Sequence, residues 1–291
     1  MSAAYWLLLP LVGCVGGFLA GMLGVGGGVI FIPLLTWLFT KDGISGPEVV
    51  KYTLGNSIFL VFISGISGIA RQAGKQTLDW RRMLLIGIPG AGIALLWSLC
   101  IAHGLPDFRN LDHWMAQHGD WYQKDKFQLV FLGFLLISIG NMLFGRKSSD
   151  QERELAPKKQ AGMHLLVAAL AGTVVALSGL GGGVVMVPLF RMFLHMPLKK
   201  ATALSLSIIP FLSLAPLLSY AVGYSPEPTP MAHAGYLVWP YALPMAAGVI
   251  VFARIGMKTA AHTPERWLRL IFASLSTLVL AKTIYEILYP G

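Results

Sequence analysis

The sequence predicts an all-α polytopic membrane protein made of two inverted-topology repeats, and three observations carry this prediction. First, 55% of its 291 residues are hydrophobic and 12% are charged, which is about half the charged share of a soluble protein. Second, the segment GVGGGVIFIPLL at 24–35 returns as GLGGGVVMVPLF at 179–190. Third, the basic residues gather in a few loops between long apolar runs.

The first repeat, residues 1–145, is expected to hold one glycine-broken hairpin and three membrane helices. Its first apolar segment, 4–39, is too long for one span at about 1.5 Å per residue and marginal for two. We therefore expect it to fold back at its glycines, as a re-entrant hairpin or as two short spans. No basic residue precedes this run, which argues against a signal peptide. Apolar windows predict the helices near 50–72, 83–103 and 126–145.

The second repeat, 161–291, follows a polar cytoplasmic linker at 146–160 and has the same order of elements. A shift of 155 residues places the second glycine run and its proline, Pro188, on the first run and Pro33. The next helix also matches, with TLGNS (53–57) against ALSLS (203–207). This is the pattern of an internal duplication. The predicted elements are a hairpin at 162–195 and helices at 200–222, 236–256 and 266–288.

The basic residues predict the orientation of the chain, because loops rich in Lys and Arg stay in the cytoplasm. The basic loops are 71–82, 146–160 and 254–269, whereas 223–235 has no Lys or Arg and the insert 104–125 carries four aspartates against two basic residues. With the basic loops inside, each broken hairpin must return to the face from which it entered, and the two hairpins enter from opposite faces. Both termini are then periplasmic.

Inverted repeats with interrupted helices are typical of secondary transporters, which bind substrate near the midplane where the breaks meet. A helix that restarts after a glycine break presents free N–H groups and about half a positive charge, which favours an anion. Close helix packing is the alternative use of glycine in membranes, and it is expected for Gly13, Gly17 and Gly21. The predicted backbone ligands are Gly26, Gly27, Gly28, Gly181, Gly182 and Gly183.

Neutral side chains near the breaks are candidates to complete the anion site, since hydroxyl and amide groups donate hydrogen bonds without adding a full charge. The alternative for each hydroxyl is a bond to a carbonyl of its own helix. The candidates are Thr53, Asn56, Ser57, Ser178, Thr202, Ser205 and Ser207.

Several functions are not supported by the sequence. No Asp or Glu lies at the centre of a predicted span, so neither a carboxylate proton relay nor a buried catalytic group is expected, and the chain is not expected to be an enzyme. The glycine runs do not match a nucleotide-binding loop. His113 and His118 in the insert have no standard metal-ligand spacing. We expect no cofactor, no metal and no nucleic-acid partner, with the lipid bilayer as the surroundings; the sequence leaves a homodimer open.

The duplicated glycine-run-plus-proline motif, the Thr/Ser-rich helix after it, ARIGMK (253–258) and RWLRLIFA (266–273) resemble the TauE/SafE sulfite exporter family. The first half departs from the family pattern with KYTLGNS, where a threonine-serine pair is usual. The resemblance implies a bacterial inner-membrane protein that exports sulfite or an organosulfonate such as sulfoacetate. The alternatives are an uptake permease for sulfate, thiosulfate or another small organic anion, and a membrane subunit without transport activity.

Overall fold

A computed structural model describes residues 3–44, 46–74, 78–102, 136, 140, 157–178, 182–223 and 231–288. The insert 104–125, nearly all of the expected helix 126–145, most of the linker and Gly181 lie outside the described residues.

The described residues form nine α-helices and one short β-hairpin. In chain order they are α1 (Ala3–Leu23), α2 (Gly28–Lys41), α3 (Gly46–Gly74), α4 (Trp80–Ala102), α5 (Pro157–Ser178), α6 (Gly183–Phe193), α7 (Leu198–Val222), β1 (His233–Ala234), β2 (Leu237–Val238), α8 (Trp239–His262) and α9 (Glu265–Leu288). The two strands pair antiparallel, with His233 opposite Val238. The β-hairpin was not predicted, because its four strand residues are too few to show an alternating pattern.

Within the described ranges, three helices are long and apolar enough to cross a membrane, namely α3 from Glu48 to Gly74, α7 and α8. Shorter apolar helices occur at Leu8–Leu23, Gly28–Lys41, Gly162–Val175 and Gly183–Phe193. Large apolar side chains also point outward along the helices, including Leu96, Leu218 and Val251. Such surfaces suit lipid rather than water. The chain is therefore an all-α membrane protein.

The first broken segment changes direction at three glycines. α1 ends at Leu23, and Gly24, Gly26 and Gly27 have φ angles of 70°, 81° and 83°, which side chains with a Cβ rarely adopt. Gly27 directly precedes α2 as its N-cap, and its carbonyl oxygen accepts hydrogen bonds from the N–H groups of Ile30 and Phe31. A Cβ built on Gly16 would lie 2.1 Å from the Phe31 ring, so α2 runs back along α1.

The second broken segment restarts in the same way. Gly182 precedes α6 with a φ of 67°. Its carbonyl oxygen accepts hydrogen bonds of 3.0 Å from the N–H of Val185 and 2.8 Å from that of Met186. These three residues lie 155 positions after Gly27, Ile30 and Phe31, so the sequence repeat is also a repeat of hydrogen bonds.

Small residues bring α1 close to α8. Cβ atoms on Gly13 and Gly21 would lie 2.1 Å from the carbonyl oxygen of Met245 and 2.0 Å from that of Ala253, and Gly17 contacts Val249 between them. This is the packing role that their four-residue spacing predicts. Because the residue numbers of the contacting partners rise together along both helices, α1 and α8 run parallel.

The same relationship holds between α4 and α5. A Cβ on Gly90 would lie 3.2 Å from the carbonyl oxygen of Ala168, and Trp97 Nε1 donates a 3.1 Å hydrogen bond to Thr173 Oγ1. These helices are parallel as well. Thus the first helix of each half packs on the helix that follows the long central helix of the other half.

The central helices α3 and α7 cross the middle of the molecule side by side. Gly55 lies against Tyr220, and Gly68 lies against Leu206. Since the residue number rises along α3 as that of its partner in α7 falls, α3 and α7 are antiparallel.

The helix ends define two ends of the molecule. At one, which we call the basic end, Lys199 Nζ donates a 2.8 Å hydrogen bond to the carbonyl oxygen of Ala261, joining the start of α7 to the end of α8. At the opposite end, the Tyr241 hydroxyl donates to the carboxylate of Asp42. α2 therefore finishes beside the start of α8.

Candidate functional site

The two glycine breaks meet inside the molecule. A Cβ built on Gly183 would lie 2.1 Å from the carbonyl oxygen of Gly24 and 2.4 Å from Val25 Cα. Gly28 and Gly183, the first residues of α2 and α6, are both buried. The first N–H groups of a helix have no acceptor within that helix, and its N-terminus carries about half a positive charge. The contact thus places the electropositive start of α6 against the first glycine break, in the segment that leads from α1 into α2.

Two buried hydroxyls, one from each central helix, contact carbonyl oxygens of the first break. Ser205 Oγ in α7 donates a 2.8 Å hydrogen bond to the carbonyl oxygen of Gly24. Ser64 Oγ in α3 lies 3.3 Å from the carbonyl oxygen of Gly26 and 2.7 Å from that of Val61, within its own helix. The central helices α3 and α7 therefore hold the break that precedes α2.

Ser64 was not among the residues predicted from the sequence. The alignment of 53–57 with 203–207 points to residues nearer the start of α3. Ser64 lies in SGISG (64–68), where small residues interrupt a long apolar helix. That interruption is the sequence signal for a close approach by another chain segment.

The predicted hydroxyls of α7 have different partners. Thr202 Oγ1 bonds to the carbonyl oxygen of Lys199 at 3.0 Å, which is the local alternative for such a residue. The backbone of Thr202 nevertheless touches the break, because a Cβ on Gly24 would lie 2.3 Å from its carbonyl oxygen. Ser207 Oγ bonds to the carbonyl oxygen of Ala203 at 3.1 Å. Of these three hydroxyls, that of Ser205 bonds to the glycine break.

The predicted residues of α3, from 53 to 57, lie about two to three helical turns from Ser64. Thr53 Oγ1 is 3.3 Å from Thr36 Oγ1 in α2, and Ser57 is buried. The structure therefore does not bring this group to the level of the break. Of the remaining predicted residues, Ser178 ends α5 and Gly181 lies outside the described part.

Asn56 joins α3 to the β-hairpin. Its Nδ2 donates to the carbonyl oxygens of Tyr52 at 2.8 Å and Tyr236 at 2.9 Å. Its Oδ1 accepts a 3.0 Å bond from the N–H of Val238. Both amide hydrogens are thus directed at backbone carbonyls. Direct contact between Asn56 and a substrate stays a prediction.

A cavity of about 310 Å³ opens at the basic end and reaches the residues beside the first break. Its exposed rim includes Lys199 and Ala261, and its buried wall includes Gln72 and Thr202. We call this cavity the vestibule, and the described residues that line it are Gly21, Arg71, Gln72, Lys199, Thr202, Ala203, Met257, Ala260 and Ala261. None of these nine residues is acidic. Sequence reasoning used Arg71 and Lys199 for orientation and did not predict that they share a cavity.

Metal ligands are sparse in the part of the chain that the structure describes, which contains no group of three His, Cys, Asp or Glu residues able to hold an ion. His113 and His118 of the insert are outside that part.

Comparison with known proteins assigns the family. The model of the sulfite exporter TauE/SafE family matches residues 9–283. A probable membrane transporter protein of Methanocaldococcus jannaschii is 31% identical over 284 residues, which cover 93% of both chains. Probable membrane transporter proteins of Bacillus subtilis and Haemophilus influenzae are 21% and 25% identical, with at least 92% of each chain covered. No solved structure matches. The chain therefore belongs to the TauE/SafE sulfite exporter family of membrane transporters.

Proposed function

We propose that the chain exports a small sulfur-containing anion, sulfite or an organosulfonate such as sulfoacetate, and binds it where the two glycine breaks meet. The observation that supports this proposal is the contact of Gly183 with Gly24 and Val25, which brings the start of α6 against the buried segment that leads into α2. Uncovered N–H groups and the positive ends of helix dipoles favour negatively charged ligands. Transporters with broken helices use the same device at the midplane.

The ligands in this proposal come first from the backbone of the two breaks, at 26–28 and 181–183. Ser205 and Ser64 support the first break through the carbonyl oxygens of Gly24 and Gly26. The other predicted side chains, Thr53, Asn56, Ser57, Ser178, Thr202 and Ser207, form an outer group whose contact with the anion stays a prediction.

Inverted topology is part of the proposal. The parallel pairs α1/α8 and α4/α5 are equivalent contacts between the halves, and the antiparallel pair α3/α7 suits a pseudo-twofold axis between them. In this arrangement the first hairpin enters from the periplasm and the second from the cytoplasm. The basic end is then cytoplasmic and both termini are periplasmic in a bacterial inner membrane. Homodimerisation also stays a prediction.

The test is flux in liposomes that contain the purified chain. Sulfite and ethanesulfonate trapped inside should exchange with external anion, and protein-free liposomes should show no exchange. Exchange of sulfate or thiosulfate but of neither trapped anion would favour the uptake permease. Absence of flux for every anion, with the protein folded, would favour a subunit without transport activity.

A further inference from the structure

The vestibule has two chemically different sides. Arg71, Gln72 and Lys199 place polar groups on α3 and the start of α7, whereas the residues contributed by α8 are apolar. We propose that the vestibule is the loading site for an organic anion with a short carbon chain. Arg71 and Lys199 attract its charged group, and α8 contacts its carbon atoms. This inference rests on the proposed function and adds an entry site and a preference between the two anions named there.

The positive charge of the vestibule is uncompensated by its own lining. Arg71 and Lys199 are its two cations, and neither takes part in an ion pair within the described ranges. Lys199 Nζ is held at the rim by its 2.8 Å bond to the carbonyl oxygen of Ala261. An ammonium group has three donors, so this bond positions Lys199 and leaves it able to bind an anion. Charges of one sign in a cleft with apolar walls raise the local concentration of the opposite ion.

The apolar side determines which anion fits best. Met257, Ala260 and Ala261 of α8 face Gly21 of α1 across a space of about 310 Å³, near the lower limit of about 300 Å³ for small-molecule sites. Inorganic sulfite would leave these apolar walls in contact with water. A sulfonate with one or two carbon atoms would cover them and gain the free energy of apolar burial. The lining therefore favours a short organosulfonate over sulfite.

Gln72 and Thr202 form part of the buried wall of the vestibule. Gln72 Nε2 donates to the carbonyl oxygen of Ala203 at 2.9 Å and to Ser207 Oγ at 2.8 Å, which joins α3 to α7. Its neighbour in the wall, Thr202, contacts Gly24 through its backbone. An anion that advances from Lys199 reaches this buried wall next. The vestibule thus lies directly before the proposed binding site.

The experiment measures KM and maximal rate of the full chain in liposomes, with ethanesulfonate and sulfite as probes at low ionic strength. Arg71→Gln and Lys199→Gln should each raise KM for both anions about tenfold, with little change in maximal rate, and added salt should reduce the difference. Lys258→Gln removes the same charge from the exposed end of α8 outside the vestibule and is the matched control. If Arg71→Gln does not fold, Arg71→Lys should retain a KM close to that of the unaltered chain.

The apolar side is tested by Ala261→Leu, a change at an exposed rim position that fills the vestibule. It should raise KM for ethanesulfonate several times more than KM for sulfite, and the unaltered chain should prefer ethanesulfonate. Equal effects on the two anions would overturn the assigned preference. Intact flux with the same KM in Arg71→Gln, Lys199→Gln and Lys258→Gln would overturn the vestibule alone. Absence of flux for every anion would instead overturn the proposed function.

Discussion

Ser205 Oγ donates a 2.8 Å hydrogen bond to the carbonyl oxygen of Gly24, 181 residues earlier in the chain. The bond joins the second repeat to the glycine break of the first. Both partners are buried, and a buried carbonyl without its donor is costly. This single bond therefore fixes the direction of the chain just before α2 begins.

Ser205→Ala should lower the free energy of unfolding by about 1–3 kcal/mol, because the Gly24 carbonyl would lose its donor in an apolar surrounding. It should also raise KM for ethanesulfonate, since the break is less firmly held. Ser213→Ala is the matched control, because Ser213 is equally buried in α7 but bonds to Ile209 of its own helix. Thermal unfolding in detergent and flux in liposomes measure the two effects. Equal losses in both variants would contradict the special role of Ser205.

Gly27→Ala and Gly182→Ala should abolish transport. Both glycines have φ angles in the left-handed region, and a Cβ on Gly182 would lie 2.4 Å from Val175 Cγ2. The added strain is about 1–2 kcal/mol from the backbone alone, and the methyl group would also displace the helix starts. Gly92→Ala is the control, because its Cβ meets no described atom within 4 Å. Normal flux in both break variants would place the binding site elsewhere.

Asn56→Ala should destabilise the join between α3 and the β-hairpin by about 1–3 kcal/mol, because a backbone carbonyl of Tyr236 and the N–H of Val238 would lose their partner. Thermal unfolding measures this loss. KM well below the unfolding temperature then tests the separate prediction that Asn56 contacts the anion. An unfolding temperature equal to that of the unaltered chain would contradict the structural role.

The proposed topology predicts that single cysteines at Ser2 and Ser149 lie on opposite sides of the membrane. A membrane-impermeant thiol reagent should label the first in intact cells and the second only after the membrane is opened. The native Cys14 and Cys100 are replaced beforehand so that the signal comes from the new thiols. Labelling of both positions from one side would refute the inverted arrangement of the halves.

Transport should be driven by the membrane potential without a co-ion. Moving one charge across 100 mV is worth about 2.3 kcal/mol, so a negative interior favours anion export. Glu48 is a buried carboxylate in the first turn of α3, 2.7 Å from Lys51 Nζ. Because it lies at a helix end, it does not have the midplane position of a proton relay. Flux of ethanesulfonate should therefore follow a potassium-valinomycin potential. The same flux driven by a pH gradient at zero potential would contradict the uncoupled mechanism.

The sequence by itself determined the membrane class, the helical composition and the two places where the helices break. These features are local: apolar length sets a membrane helix, and consecutive glycines permit the positive φ angles of Gly26, Gly27 and Gly182. The internal repeat of the sequence also has matching hydrogen bonds at the starts of α2 and α6. The family was equally evident from the duplicated motif.

Only the tertiary structure decided which side chains lie beside the breaks. Ser64 and Ser205 do, whereas Asn56 is held by the β-hairpin. Which residues of α3 and α7 lie beside the breaks depends on packing between segments that are distant in the sequence. The vestibule has the same origin. Gly21, Arg71, Lys199 and Ala260 come from four helices, and no local pattern in the sequence records that these helices meet.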